Sequence, residues 1–179
     1  MAVLLGGLIA GLPAYAGAQE KIVWSDVDCA QSKLVTPAGL RCRATNVFGT
    51  RGVATSTGGG QVKSWNASGI VQQTKLYYYV TEIIDTTSYV QVASLSDDIR
   101  VISPQAKGAA NMSGLERKGD ADLVTFNNAQ NDNCVGIRKY EPARGGGYRW
   151  VLYATRCTPA AQKASDAEIS AFSAAAGFR

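Results

Sequence analysis

Cys134 and Cys157 lie at equal distances from the segment 143–148, so an antiparallel hairpin folding there sets the two sulfurs opposite each other. Thiols so placed oxidise to a crosslink. Cys29 and Cys42 bracket a second turn signal, Thr36-Pro37-Ala38-Gly39. Of the three pairings that four cysteines allow, Cys29 with Cys42 and Cys134 with Cys157 is therefore the expected one. The hairpin pair should stabilise the fold by about 3 kcal/mol through the unfolded state. A metal site is the rival use of these thiols, and it lacks its partners: no Cys-x-x-Cys spacing occurs, and the chain has no histidine. No metal and no cofactor are expected.

The missing histidine also excludes Ser-His-Asp and Cys-His catalysis on this chain. Neither a Gly-x-Ser-x-Gly elbow nor a Ser-x-x-Lys motif is present. The runs Gly58-Gly59-Gly60 and Gly145-Gly146-Gly147 read as turns, because Lys63-Ser64 follows the first at the wrong offset for a phosphate loop. Paired carboxylates remain as the one enzymatic route, as in glycoside hydrolysis. Glu82, Asp85, Asp97, Asp98, Glu116 and Glu141 are the candidates by residue type. No residue stands out as catalytic, and the chain reads as non-enzymatic.

Aromatic side chains offer a binding surface instead. In Leu76-Tyr77-Tyr78-Tyr79-Val80, strand alternation sends Tyr78 to the core with Leu76 and Val80 and leaves Tyr77 and Tyr79 on the other face. With Trp65 and Trp150 nearby, that pair would suit a protein surface or a sugar ring. Arg41, Arg43 and Arg51 form the densest basic stretch. They read as cations guarding an exposed strand edge rather than as phosphate contacts. A formal net charge of +4 is modest and scattered, so no nucleic-acid partner is expected.

These residues need elements to hold them. Strands are expected at 21–24, 40–48, 75–84, 99–102 and 123–126, with a β-hairpin turning at Asp85-Thr86-Thr87-Ser88 and returning through 89–93. The cysteine-stapled hairpin then pairs Cys134 with Cys157, Gly136 with Thr155, Arg138 with Tyr153, Tyr140 with Val151 and Ala143 with Tyr148. The alternate set pairs Glu141 with Trp150, and Arg138 beside Tyr153 is a candidate cation–π contact. Residues 105–119 read as a loop with at most a short helix. Ser165-Asp166-Ala167-Glu168 has capping-box spacing, and Ile169 and Phe172 then recur at helical spacing before Gly177. The expected class is α+β: mainly an antiparallel sheet or partly closed barrel, a C-terminal helix, and two disulfides.

Residues 1–18 carry no charged side chain, run through Val3-Leu4-Leu5-Gly6-Gly7-Leu8-Ile9-Ala10 and close on Ala16-Gly17-Ala18. That is the pattern of a secretory signal peptide, short for a bilayer span and broken by Pro13. Residues 19–179 then form one exported domain, periplasmic or secreted, in surroundings that permit disulfides. An apolar content of 46% against 18% charged is ordinary for a packed domain.

The run Cys134-Val135-Gly136-Ile137-Arg138-Lys139-Tyr140, with Gly147-Tyr148-Arg149-Trp150-Val151-Leu152-Tyr153, Cys157 and the ending 165–172, resembles the carboxyl-terminal pattern of uncharacterised exported proteins of proteobacteria. The resemblance implies a periplasmic or secreted bacterial setting and brings no activity or site residues. The chain thus reads as an exported binding domain for a protein or cell-envelope component, without a membrane span once the leader is removed. A carboxylate-dependent envelope hydrolase and a carrier of small apolar ligands are the alternatives.

Overall fold

The computed structural model describes residues 21–49, 56–57, 60–85, 89–142 and 147–179. The expected leader, Arg51 and most of the glycine turn at 143–148 lie outside the described residues. Within them the strands are β1 (Trp24–Val27), β2 (Leu34–Val35), β3 (Arg41–Thr45), β4 (Phe48–Gly49), β5 (Ser56–Thr57), β6 (Gln61–Val71), β7 (Thr74–Ile83) and β8 (Tyr89–Val90). After helix α1 (Leu95–Ile102) and a 3-10 turn (Pro104–Ala106) come β9 (Glu116–Lys118), β10 (Ala121–Asn127), β11 (Asn133–Pro142) and β12 (Tyr148–Thr158). Helix α2 (Asp166–Ala175) and β13 (Gly177–Phe178) end the chain. One antiparallel sheet runs β1-β3-β6-β7-β12-β11-β10-β9, with β4, β5 and β8 attached beside it. It does not close into a barrel. The short pair β13-β2 forms a second sheet.

The long strands β6, β7, β11 and β12 are the spine, rich in the aromatic and β-branched residues that suit a pleated, buried surface. Between β11 and β12 every pair from Cys134↔Cys157 to Glu141↔Trp150 keeps the expected register. It then slips by one at an irregularity beside Pro142, which meets Tyr148. Both disulfides form as expected, Cys29–Cys42 with Cα atoms 5.2 Å apart and Cys134–Cys157 at 4.1 Å.

Several elements differ from the sequence reading, among them β6 and β9, which are absent from the expected strands. The hairpin partner of β7 is β6, not the segment after Ser88; β8 pairs instead with β12 and β5. The reversal between β6 and β7 uses Gln72 and Gln73, both at positive φ (48° and 65°), where no glycine, asparagine or aspartate announces a turn. Residues 99–102 are the end of α1 rather than a strand. Ser94 caps that helix by accepting from the backbone N–H of Asp97, and two carboxylates in the first turn complement the helix dipole. The opening strand begins three residues later than expected, at Trp24.

Both faces of the sheet are covered, by different elements. On one face Trp65, Ala67, Leu76, Tyr78, Val80 and Leu152 pack under Phe172 of α2 and Leu34 of β2. Phe178 of β13 seals that side between the rings of Trp65 and Trp150, at 5.5 and 5.4 Å. The capping box holds as read: Ser165 accepts from the Glu168 N–H, while Glu168 accepts from the Ser165 N–H. On the opposite face Leu95, Ile99 and Ala106 cover Val124, Phe126, Cys134, Val151, Tyr153 and Cys157. Helix α1 spans only part of that face. The floor over β1, β3 and β6 extends beyond it.

Candidate anion-binding cleft

Across the α1-bearing face, one row of in-register residues crosses all eight strands of the main path. Its inner half comprises Tyr153, Arg138, Asp122 and Arg117 on β12, β11, β10 and β9. Its outer half comprises Tyr79, Asn66, Arg43 and Asp26 on β7, β6, β3 and β1. Every member is polar or carries a polar tip. What separates the halves is the cover: α1 closes the inner one and stops short of the outer one.

The inner half is a satisfied network, buried at Tyr153, Arg138 and Asp122 and reaching solvent at Arg117. Asp98 reaches down from α1 and accepts from Arg138 Nη1 (3.1 Å) and from the Tyr153 hydroxyl (2.8 Å). Arg138 Nε and Nη2 donate to Asp122 Oδ2 at 3.1 and 3.0 Å, Nη1 also donates to the Ala93 carbonyl, and Arg117 donates to Asp122 Oδ1 at 2.7 Å. The side chain of Arg138 is only 8% exposed. Burial works to lower its pKa, but the hydrogen bond to Asp122 and the nearby carboxylate charges outweigh it and raise the pKa above the ordinary guanidinium value. Burial, reinforced by the Asp98 charge, pushes the Tyr153 phenol strongly up. The expected Arg138–Tyr153 cation–π contact is thus replaced by a shared carboxylate.

The outer half opens as a cleft of about 470 Å³. Arg41, Arg43, Asn66, Ser68 and Tyr77 form its floor and one wall. Arg100, Val101, Ser103, Pro104 and Lys107, from α1 and the 3-10 turn, form the other. Four cationic side chains therefore line one cavity from both sides, brought together from residues 41–43 and 100–107. The expected role of Arg41 and Arg43 as guards of a sheet edge is not what the topology gives, since β3 is an interior strand between β1 and β6. Asp26, on the true edge strand, grips Arg41 with two hydrogen bonds (2.9 and 2.7 Å) and lies 3.6 Å from Arg43. The Arg41 hydrogen bond holds the Asp26 carboxyl below its ordinary range. Arg43 also rests over the Trp24 ring at 5.8 Å, and Arg100 lies 3.6 Å from Asp97. Asn66 Oδ1 is shielded from solvent without a hydrogen-bond partner, a cost of about 1–3 kcal/mol, and Arg43 Nε is likewise shielded with no hydrogen bond but has Asp26 Oδ1 at 3.6 Å.

No family model, curated protein or solved structure matches this chain.

The four aromatic candidates do not share a surface. Trp65 (4% exposed) and Trp150 face α2 and β13, whereas Tyr77 (8% exposed) and Tyr79 face the α1 side. Trp65 and Tyr77 are buried, so the expected exposed patch gives way to core and cleft-wall positions. Tyr79 is half-buried, its hydroxyl tied to Ser64 and Thr81. Tyr77 lines the cleft, and burial raises its phenol pKa.

The six carboxylates separate likewise. Asp98 belongs to the buried network and Asp97 meets Ser94 at the α1 cap; Glu82 binds Lys33, and Glu141 accepts from Trp150 Nε1. Asp85 accepts from the Gln61 N–H, and Glu116 stands exposed on β9. None lines the basic cleft or the two smaller clefts, beside Lys163 and beside Arg156. No group of three or more potential metal ligands is found among the described residues. The sequence concealed the cleft because Arg100 lies on a helix that reads as a strand and Lys107 in a segment that reads as a loop. A capped amphipathic pattern from Ser94 to Ile102 was the available signal.

Proposed function

We propose that this chain is a non-enzymatic exported binding domain for a cell-envelope component, and that the basic cleft on the open half of the sheet is its binding site. The supporting observation is the convergence of Arg41, Arg43, Arg100 and Lys107 on one cavity built from strand, helix and 3-10 turn. Low-dielectric walls lined by one sign of charge concentrate field lines and attract an opposite charge. The preferred ligand is therefore anionic. Two disulfides support function in an oxidising compartment, and no described helix is long and apolar enough to cross a membrane.

Titrating the oxidised domain with polyglutamate, a generic polyanion, tests the site. Binding should weaken as salt rises, and Arg100→Gln and Lys107→Gln, both at exposed positions, should each reduce affinity while the fold stays intact. Affinity untouched by both substitutions, or amide shift changes confined to another surface, would remove the cleft from consideration.

A further inference from the structure

We propose that the ligand of the basic cleft is an acidic saccharide, a hydroxyl-rich chain carrying carboxylates; this inference rests on the cleft being the binding site. Its cations do not converge on a single point. Arg41 and Arg43 are two residues apart on β3, so their backbones stand roughly 6.5–7 Å apart along the strand, and Arg100 and Lys107 rise from the facing wall. That spacing addresses several negative groups on one ligand rather than a lone anion.

The neutral part of the cleft narrows the class. Asn66, Ser68 and Tyr77 lie between the two cationic walls, with Ser68 in register between Arg41 and Tyr77. Asn66 Oδ1 is an acceptor without a hydrogen bond, while the amide of the same side chain stands beside the Tyr77 hydroxyl. Only a donor satisfies it, and carboxylate, sulfate or phosphodiester groups offer none, whereas a sugar hydroxyl does. Arg43 Nε, its neighbour across the ladder, makes no hydrogen bond and faces Asp26 Oδ1 at 3.6 Å; it supplies the complementary donor for a carboxylate once the half-buried guanidinium turns towards the ligand. Val101, 84% exposed on the rim, and Pro104 offer apolar area to the C–H face of a sugar ring.

The molecule already holds one carboxylate in this manner. Arg138 and Tyr153, on adjacent strands, grip Asp98 with guanidinium and phenol donors on the same face, and the open half carries the same two side-chain types at Arg41 and Tyr77, one strand further apart. A nucleic acid fits less well, since no ring in the cleft is free to stack a base: Tyr77 is buried and Trp24 already carries Arg43. Asp26 is the internal competitor, because it occupies Arg41 and neighbours Arg43 until a ligand displaces it.

The test compares oligogalacturonate, a neutral oligosaccharide of equal length, polyglutamate, inorganic pyrophosphate and phosphatidylglycerol vesicles by calorimetry on the oxidised domain. Oligogalacturonate should bind at least about tenfold tighter than polyglutamate or pyrophosphate. Asn66→Ala should shrink that preference, and Asp26→Asn should tighten oligogalacturonate binding. Lys107→Gln, exposed at the rim, should loosen it and serves as a control should an Asn66 variant misfold. Equal affinity for every soluble anion, or preferential binding of the vesicles, overturns the saccharide assignment and leaves an anion-binding cleft standing. Binding of none of the probes overturns both.

Discussion

Arg138 is the residue on which the covered half of the sheet depends. A buried guanidinium between two carboxylates costs heavily in desolvation, and its removal strands Asp98 without a cation and leaves Asp122 with Arg117 alone. Arg138→Met should therefore lower unfolding free energy by about 3–5 kcal/mol in urea denaturation, whereas Arg138→Lys keeps the charge, loses the fork geometry and should fall between. If Arg138→Met costs no more than a surface change, the network is not the clamp that seats α1. The sequence displayed the Arg138–Tyr153 neighbourhood correctly because register depends only on counting from the turn. It hid the burial, since Asp98 arrives from a helix forty residues earlier in the chain.

At the scale of elements, α1 sets what the cleft can be. Its seat on β11 is Gly136, where an added methyl would overlap Ile99 Cδ1, and Ile99 is fully buried with little room to yield. Gly136→Ala should cost about 1–3 kcal/mol by overpacking and, by pushing α1 outwards, should shift the amide resonances of residues 100–107 more than those of β1. Unchanged stability with unchanged resonances would show that the helix has slack. The turn at Gln72-Gln73 offers the opposite prediction. Two residues other than glycine at positive φ pay a backbone penalty, so replacement by Asn-Gly should raise stability by about 1 kcal/mol or more. The same two elements mark the limit of what was legible. Patterns with a local cause could be read: the β11–β12 register from an index sum, α2 from its capping box, the crosslinks from turn signals between cysteines. The β6–β7 turn and α1 could not, because Gln-Gln carries no turn preference and Ile99-Arg100-Val101-Ile102 has the β-branched composition of a strand. Packing on Gly136 and capping by Ser94 decide that it is a helix. The cleft inherited this blind spot, since one wall comes from α1.

For the whole molecule, the ion pairs and buried phenols bound the pH range in which the fold is stable. Glu168 is held down to about 2 from its ordinary 4.5, first by the Ser165 backbone N–H of the capping box and then by Arg156. The Arg41 hydrogen bond likewise lowers Asp26, and the Lys75 hydrogen bond lowers Asp132, from 3.8. Each of these carboxyls binds its proton more weakly in the folded state, so on acidification the unfolded chain takes up protons first. Their contribution is complete above about 4.5 and is lost as pH falls towards 2. At the alkaline end burial raises Tyr78 to about 12, and raises Tyr77 and Tyr153 as well, from 10.0. Here the unfolded chain releases protons first, so stability is retained below pH 10 and declines above it. Urea midpoints measured across the range should therefore form a broad plateau with two falling arms. Glu168→Gln should flatten the acid arm alone, and Tyr78→Phe the alkaline arm alone. A profile in which both substitutions flatten the same arm, or neither does, would mean that the groups titrate alike in the folded and unfolded chains and that α2 is held by apolar packing without help from its cap.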